Sequence, residues 1–169
     1  MEIVFQKLTN VKLPNKAHKT DAGIDFYIPY DLNYIIKNGK SIQIGLVKKE
    51  TEEGIIEIPA IEIEAGKSIL IPMGVKSLFA DNYALVFFNR SGIATKKHLL
   101  RGACIVDSAY TGEIFVNMNN VSSETQYLVP GEKLIQAMLL PVPEIEIKEG
   151  VVERETERGD GGFGSTNSK

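Results

Sequence analysis

The chain has 169 residues, a formal net charge of −3, 43% hydrophobic and 24% charged residues. That is the balance of an ordinary globular protein with room for one compact domain and little for two. It excludes a nucleic-acid binder that works through a general basic field, so an anionic substrate must meet a local cluster of cations helped by a metal ion. No run approaches the roughly 18–20 apolar residues of a membrane helix. The N-terminal MEIVFQKLTNVKLP lacks the basic-then-apolar order of a secretory signal, so a soluble, cytoplasmic protein without a membrane partner is expected. A single cysteine, Cys104, excludes an intrachain disulfide and a cysteine-built zinc site, and His18 and His98 are too few for a histidine cage.

In chain order, Thr20–Phe26 comes first, with Asp21 and Asp25 around Gly23, a pattern frequent in capped turns. Residues 31–64 form an elaboration: the Asn38-Gly39 turn, a charge run over Lys48–Glu53, and strict alternation over Ile55–Ile63. The pattern predicts an extra β-hairpin, and alternatively a surface for a protein partner. Short β-branched or aromatic runs follow at Ile69–Val75, Ala84–Phe88, Ile114–Met118 and Leu134–Leu140, separated by Asp81-Asn82, Thr111-Gly112 and Pro130-Gly131. The one helical segment predicted is Gly92–His98. Residues 1–151 thus read as a single all-β domain, a sandwich or barrel. Residues 152–169, with almost no aliphatic content, read as a Gly-rich tail outside the core.

Several segments carry chemistry. Phe88-Asn89-Arg90-Ser91-Gly92 ends a strand in a cation, a hydroxyl and a glycine, suited to an anion or to a plain helix cap. Gly102–Glu113 places Asp107 directly after an apolar strand, where a carboxylate can be partly desolvated and still reach a water; Tyr110 follows three residues later. Gly131–Gln136 leads from a turn into a strand and brings an amide, Gln136. The tail segment Arg158–Thr166 sets an arginine, Phe163 and two hydroxyls among four glycines, so that backbone N–H groups could approach phosphate while the ring stacks on a base. A frayed terminus is the alternative.

Together these segments resemble, in order and spacing, the five motifs of the trimeric dUTPases. Ala22–Phe26 looks like the first, Arg90–Ala94 the second, Ile105–Ile114 the third, Gly131–Gln136 the fourth and Arg158–Thr166 the fifth. The resemblance implies a jelly-roll-like subunit in a homotrimer, with sites at subunit interfaces and the flexible C-terminal tail as a lid. The reaction implied is hydrolysis of dUTP to dUMP and pyrophosphate, which keeps dUTP low and supplies dUMP for dTMP synthesis. Mg²⁺ would be carried by the triphosphate rather than bound directly by protein ligands.

By the same resemblance, Asp107 would orient and deprotonate the attacking water. Tyr110 would pack under the deoxyribose and reject a 2′-hydroxyl. The backbone of Gly102, Cys104, Ile105 and Val106 would read uracil. Arg90, Ser91, Gly92 and Gln136 would hold phosphates, and Asp25 would support the metal-water shell or a subunit contact. Phe163 would stack on the base, with Arg158, Gly164, Ser165 and Thr166 closing over the outer phosphates. The chain departs from the family pattern at Asn89, where proline is usual, at Cys104 for glycine and at Lys133 for arginine, while Arg101 has no fixed counterpart. Two other readings are a nucleotide-gated interaction protein using residues 31–64 or the tail, and a dCTP deaminase, which shares the fold.

Overall fold

The computed structural model describes residues 2–152 together with Thr156 and Gly159. Among the described residues it is almost entirely β: fourteen strands and one short helix. The strands are β1 (Ile3–Lys7), β2 (Ile24–Tyr27), β3 (Tyr34–Lys37), β4 (Lys40–Gln43), β5 (Gly45–Thr51), β6 (Gly54–Ile63), β7 (Ser68–Pro72) and β8 (Val75–Phe79). They continue with β9 (Tyr83–Asn89), β10 (Leu99–Arg101), β11 (Ile105–Asp107), β12 (Phe115–Asn120), β13 (Gln126–Leu128) and β14 (Lys133–Pro141). Helix α1 (Ser91–Lys96) follows β9 directly, one residue earlier than the expected start.

Two sheets frame the core. One runs β10-β12-β7-β3-β4 and the other β11-β9-β14-β2; β1-β8 and β13-β6-β5 complete the layers. Strand alternation drives the packing: Ile69 and Ile71 of β7, Val116 and Met118 of β12, and Leu85 and Phe87 of β9 all point into one buried cluster. At its centre Phe26 meets Phe5 and Phe87 edge-to-face, with ring centroids 5.5 and 5.0 Å apart.

Two expectations change. The apolar run Ile69–Val75 is two strands in different sheets, because Gly74 takes a left-handed backbone (φ +64°) and reverses the chain. Residues 31–64 form two hairpins rather than one. The first, β3–β4, turns at Asn38-Gly39, both at positive φ as a two-residue turn requires, and β3 joins the main sheet through Ile36 opposite Leu70. The second, β5–β6, is a ribbon whose residues from Gly45 to Ala60 pair only with each other. Its root is part of the fold, since Ala60, Ile61 and Ile63 are buried and β6 pairs with β13. No helix among the described residues is long and apolar enough to cross a membrane.

The contrast between core and ribbon is measurable by urea denaturation. Ile71→Ala, at a fully buried position, should cost about 2–5 kcal/mol. Ile55→Ala, on the exposed ribbon, should stay within about 0.5 kcal/mol.

Candidate active site

The four-stranded sheet brings three of the segments together. β14 is central, with β9 on one side and β2 on the other; antiparallel pairing sets Ile135 opposite Asn89 and Gln136 opposite Asp25. The start of β14, the end of β9 and the middle of β2 therefore meet at one end of the sheet. Asp25, 8% exposed, takes Arg90 Nε at 2.9 Å on one oxygen and Lys133 Nζ at 2.7 Å on the other. A buried carboxylate needs such partners to offset its desolvation. Two cations on one carboxylate leave the cluster with an excess positive charge, which suits an anion in a chain that is acidic overall.

Hydrogen bonding to Asp25 raises the Lys133 amine above its ordinary 10.5, against the opposing effect of burial. The ring of Tyr27 lies beneath both Lys12 and Lys133, and its hydroxyl donates to Asn15 Oδ1 at 2.9 Å.

Gln136 Nε2 donates to the Asn89 carbonyl at 3.0 Å, and its Oε1 occupies the space a Cβ on Gly23 would need. Glycine in the first segment is thus demanded by the amide of the fourth. Asn89 Oδ1 accepts the Arg101 N–H at 2.8 Å, tying the end of β9 to β10. Ser91 and Gly92 are exposed at the start of α1, where no side chain caps the helix. Lys97 anchors the far end of α1 to the fourth segment, with its Nζ 2.8 Å from Glu132 and 2.8 Å from the Tyr127 carbonyl. Lys97 was missed in the sequence because its partners lie about thirty residues away.

The third segment lies elsewhere. β11 pairs with β9 so that Asp107 opposes Ala84 and Ile105 opposes Val86. The pleat turns Cys104 and Val106 onto the core and Ile105 and Asp107 outward, so the Cys104 side chain points away from the exposed face. Ile105, Val106, Asp107, Tyr110, Ile114 and Phe115 line a cavity of about 210 Å³. Arg90 lies six residues beyond Ala84, so the two clusters stand about 20 Å apart along β9 within one chain. Asp25, Arg90, Ser91, Gly92 and Gln136 share one end; Ile105, Val106, Asp107 and Tyr110 share the other. Gly102 and Cys104 run between them, with Gly102 N–H on the Asn117 carbonyl and the Cys104 carbonyl on Phe87 N–H. Arg158, Phe163, Gly164, Ser165 and Thr166 lie outside the described residues.

A sequence model of the dUTPase family matches residues 58–167. The chain belongs to the dUTPase family. A deoxyuridine 5′-triphosphate nucleotidohydrolase of Acinetobacter baumannii is 39% identical over 110 residues, covering 63% of this chain and 73% of that protein. The G164S mutant of the dUTPase of Staphylococcus bacteriophage 80alpha, solved with dUpNHpp, superposes with a TM-score of 0.73 at 20% identity over 98% of both chains. The EIAV dUTPase gives 0.63 at 22% identity, over 91% of this chain and 100% of that one. The family match takes in the root of β6 and begins after the Ala22–Phe26 segment, so that part of the supposed elaboration is family fold.

No group of three His, Cys, Asp or Glu able to hold a metal occurs among the described residues. Both Asp25 oxygens are spent on cations. This donor set fits a magnesium ion that arrives on substrate phosphates and takes few protein ligands.

The Lys133–Asp25 bond has a pH signature. Because the folded amine titrates above its unfolded value of 10.5, its contribution is complete below that pH and is lost as pH rises through the raised value. Thermal melts from pH 9 to 12 should show this alkaline loss in wild type and a flatter profile in Asp25→Asn.

Proposed function

We propose that the chain is a dUTP diphosphatase that hydrolyses dUTP to dUMP and pyrophosphate as a homotrimer, each site drawing its two halves from different copies. The observation that carries this reading is the separation along β9. A site needs phosphate-holding groups and a general base within one nucleotide's reach, and one chain keeps Arg90 and Asp107 about 20 Å apart. A second copy, laid so that its Asp107 end meets the Arg90 end of the first, completes the set.

In that arrangement Arg90, the backbone at Ser91 and Gly92, and Gln136 neutralise and align the phosphates. Asp25 holds Arg90 in orientation by its ion pair. The exposed edge of Gly102–Val106 reads uracil through main-chain groups, and the inward Cys104 side chain leaves that edge clear. Asp107 orients a water and takes its proton. The water oxygen bonds to the α-phosphorus as the bond to the bridging oxygen breaks, and pyrophosphate leaves with the electron pair. When bound, Mg²⁺ supplies charge neutralisation at the triphosphate. Tyr110 presents its ring to the sugar. The tail, through Arg158, Phe163, Gly164, Ser165 and Thr166, closes over base and outer phosphates and excludes water.

A second reading is favoured by the β5–β6 ribbon, which exposes Leu46 at 63% and Ile55 at 71% and pairs with no other described strand along most of its length. We propose it as a surface for a protein partner whose access the nucleotide state controls. Excision of residues 46–57 spares the buried root. It should leave dUTP turnover unchanged and abolish partner capture; capture that survives the excision rules the ribbon out.

The diphosphatase reading is tested by pyrophosphate release from dUTP, dTTP, dCTP and UTP with Mg²⁺. Turnover selective for dUTP and abolished in Asp107→Asn is expected, whereas ammonia release from dCTP would point to a deaminase. Co-expressing Asp107→Asn with Arg90→Ala should recover activity that neither variant shows alone, because some mixed interfaces then carry both native halves. Failure to complement, with both variants assembled into trimers, would place the whole site in one chain.

A further inference from the structure

We propose that Glu113 is a positioning residue that fixes the Tyr110 ring for rejection of a 2′-hydroxyl; the inference rests on the dUTP diphosphatase reading above. Tyr110 sits in the loop between β11 and β12, nearly half exposed. Three local features define it. Its N–H donates to the Asp107 carbonyl at 3.1 Å, its hydroxyl donates to the Glu113 carbonyl at 2.7 Å, and its ring lies over Gly112, where a Cβ would stand 2.6 Å from Cζ. The first reaches back to the end of β11 and the other two stay within the loop, whose start is also tied to the Asp81 carbonyl by Ser108 Oγ at 3.4 Å.

Glu113 ties the loop to the body. Its Oε1 accepts the Gly74 N–H at 2.9 Å, at the left-handed turn between β7 and β8. That turn is itself held tightly, since a Cβ on Gly74 would collide with Thr9. The peptide between residues 113 and 114 is planar, so its two polar groups point in opposite directions. Ile114 N–H is bonded to the Val75 carbonyl at 2.9 Å, which turns the Glu113 carbonyl the other way, toward the Tyr110 hydroxyl. With the carboxylate on Gly74 N–H and the next amide on Val75, residue 113 is clamped from both sides. Its carbonyl becomes a fixed acceptor. The Tyr110 hydroxyl is thereby spent on the protein, and the ring faces the sugar as a rigid wall.

The experiment compares kcat/KM for dUTP and UTP in wild type, Glu113→Gln and Glu113→Ala. Glutamine keeps an oxygen acceptor for Gly74 N–H and should retain most of the discrimination. Alanine removes it and should lower the dUTP-to-UTP ratio about tenfold, the scale of one lost hydrogen bond to a charged group. A merely structural role would reduce turnover of both nucleotides equally, and an unchanged ratio in Glu113→Ala overturns the proposal. Should that variant fail to fold, Tyr110→Phe decides, because it keeps the ring and removes the tether: a lowered ratio supports the proposal and an unchanged ratio overturns it. Absence of dUTP turnover in wild type would instead overturn the diphosphatase reading on which the inference rests.

Discussion

The site depends on one carboxylate. Asp25 lies buried between Arg90 and Lys133, and those three residues come from three adjacent stretches of one sheet. A lone buried carboxylate would be costly, and two cations side by side would repel; each half of the cluster makes the other tolerable. The pairing also sets geometry. With Nε on Asp25 and Nη1 on the Lys133 carbonyl, the Arg90 guanidinium is held at its base in one direction. Lys133, where an arginine is usual in the family, keeps the charge but gives a point contact rather than a fork, and stands over the Tyr27 ring instead.

Sheet register then decides which chemistry one chain can do. β9 carries the Arg90 cluster past its end and lies beside Asp107 near its start. The pleat that buries Cys104 and Val106 also turns Ile105 and Asp107 outward. A slip of one residue between β9 and β11 would bury Asp107 and expose Cys104. Core packing and the outward placement of Asp107 are therefore the same constraint, since the side chains that hold β11 in register alternate with those that face outward.

Much of this was legible in the sequence, for identifiable reasons. The strands at Ala84–Phe88 and Leu134–Leu140 follow from β-branched and aromatic runs bounded by turn residues, and the Asn38-Gly39 turn from its need for two positive φ values. The convergence of Asp25, Arg90 and Gln136 came through the family motifs, and the structure supplies its local reason in the Gly23–Gln136 contact. Other features depend on long-range partners that a linear reading does not see. Pro72 and Gly74 are the only local marks of the reversal into β8, and they sit inside a run that is otherwise continuously apolar. Lys97 looks like one of several surface lysines until Glu132 is brought beside it. The alternation of Ile55–Ile63 predicts a strand correctly, but not that its last residues belong to the core while its first stand in solvent.

One departure from the family pattern, Asn89, falls where a side chain has taken over a backbone duty. Proline before Arg90 would restrict the approach to the phosphate turn through its ring. Asn89 restricts the same approach differently, with Oδ1 on Arg101 N–H and its carbonyl on Gln136. That choice has a structural consequence which proline would not have. It joins the Arg90 end of β9 to the start of the Gly102–Val106 segment by a hydrogen bond, so the two regions that the proposed trimer would give to neighbouring sites are linked through a single residue. If the proposed trimer holds, the segment proposed to read the base in one site and the turn proposed to hold phosphate in the next share one anchor.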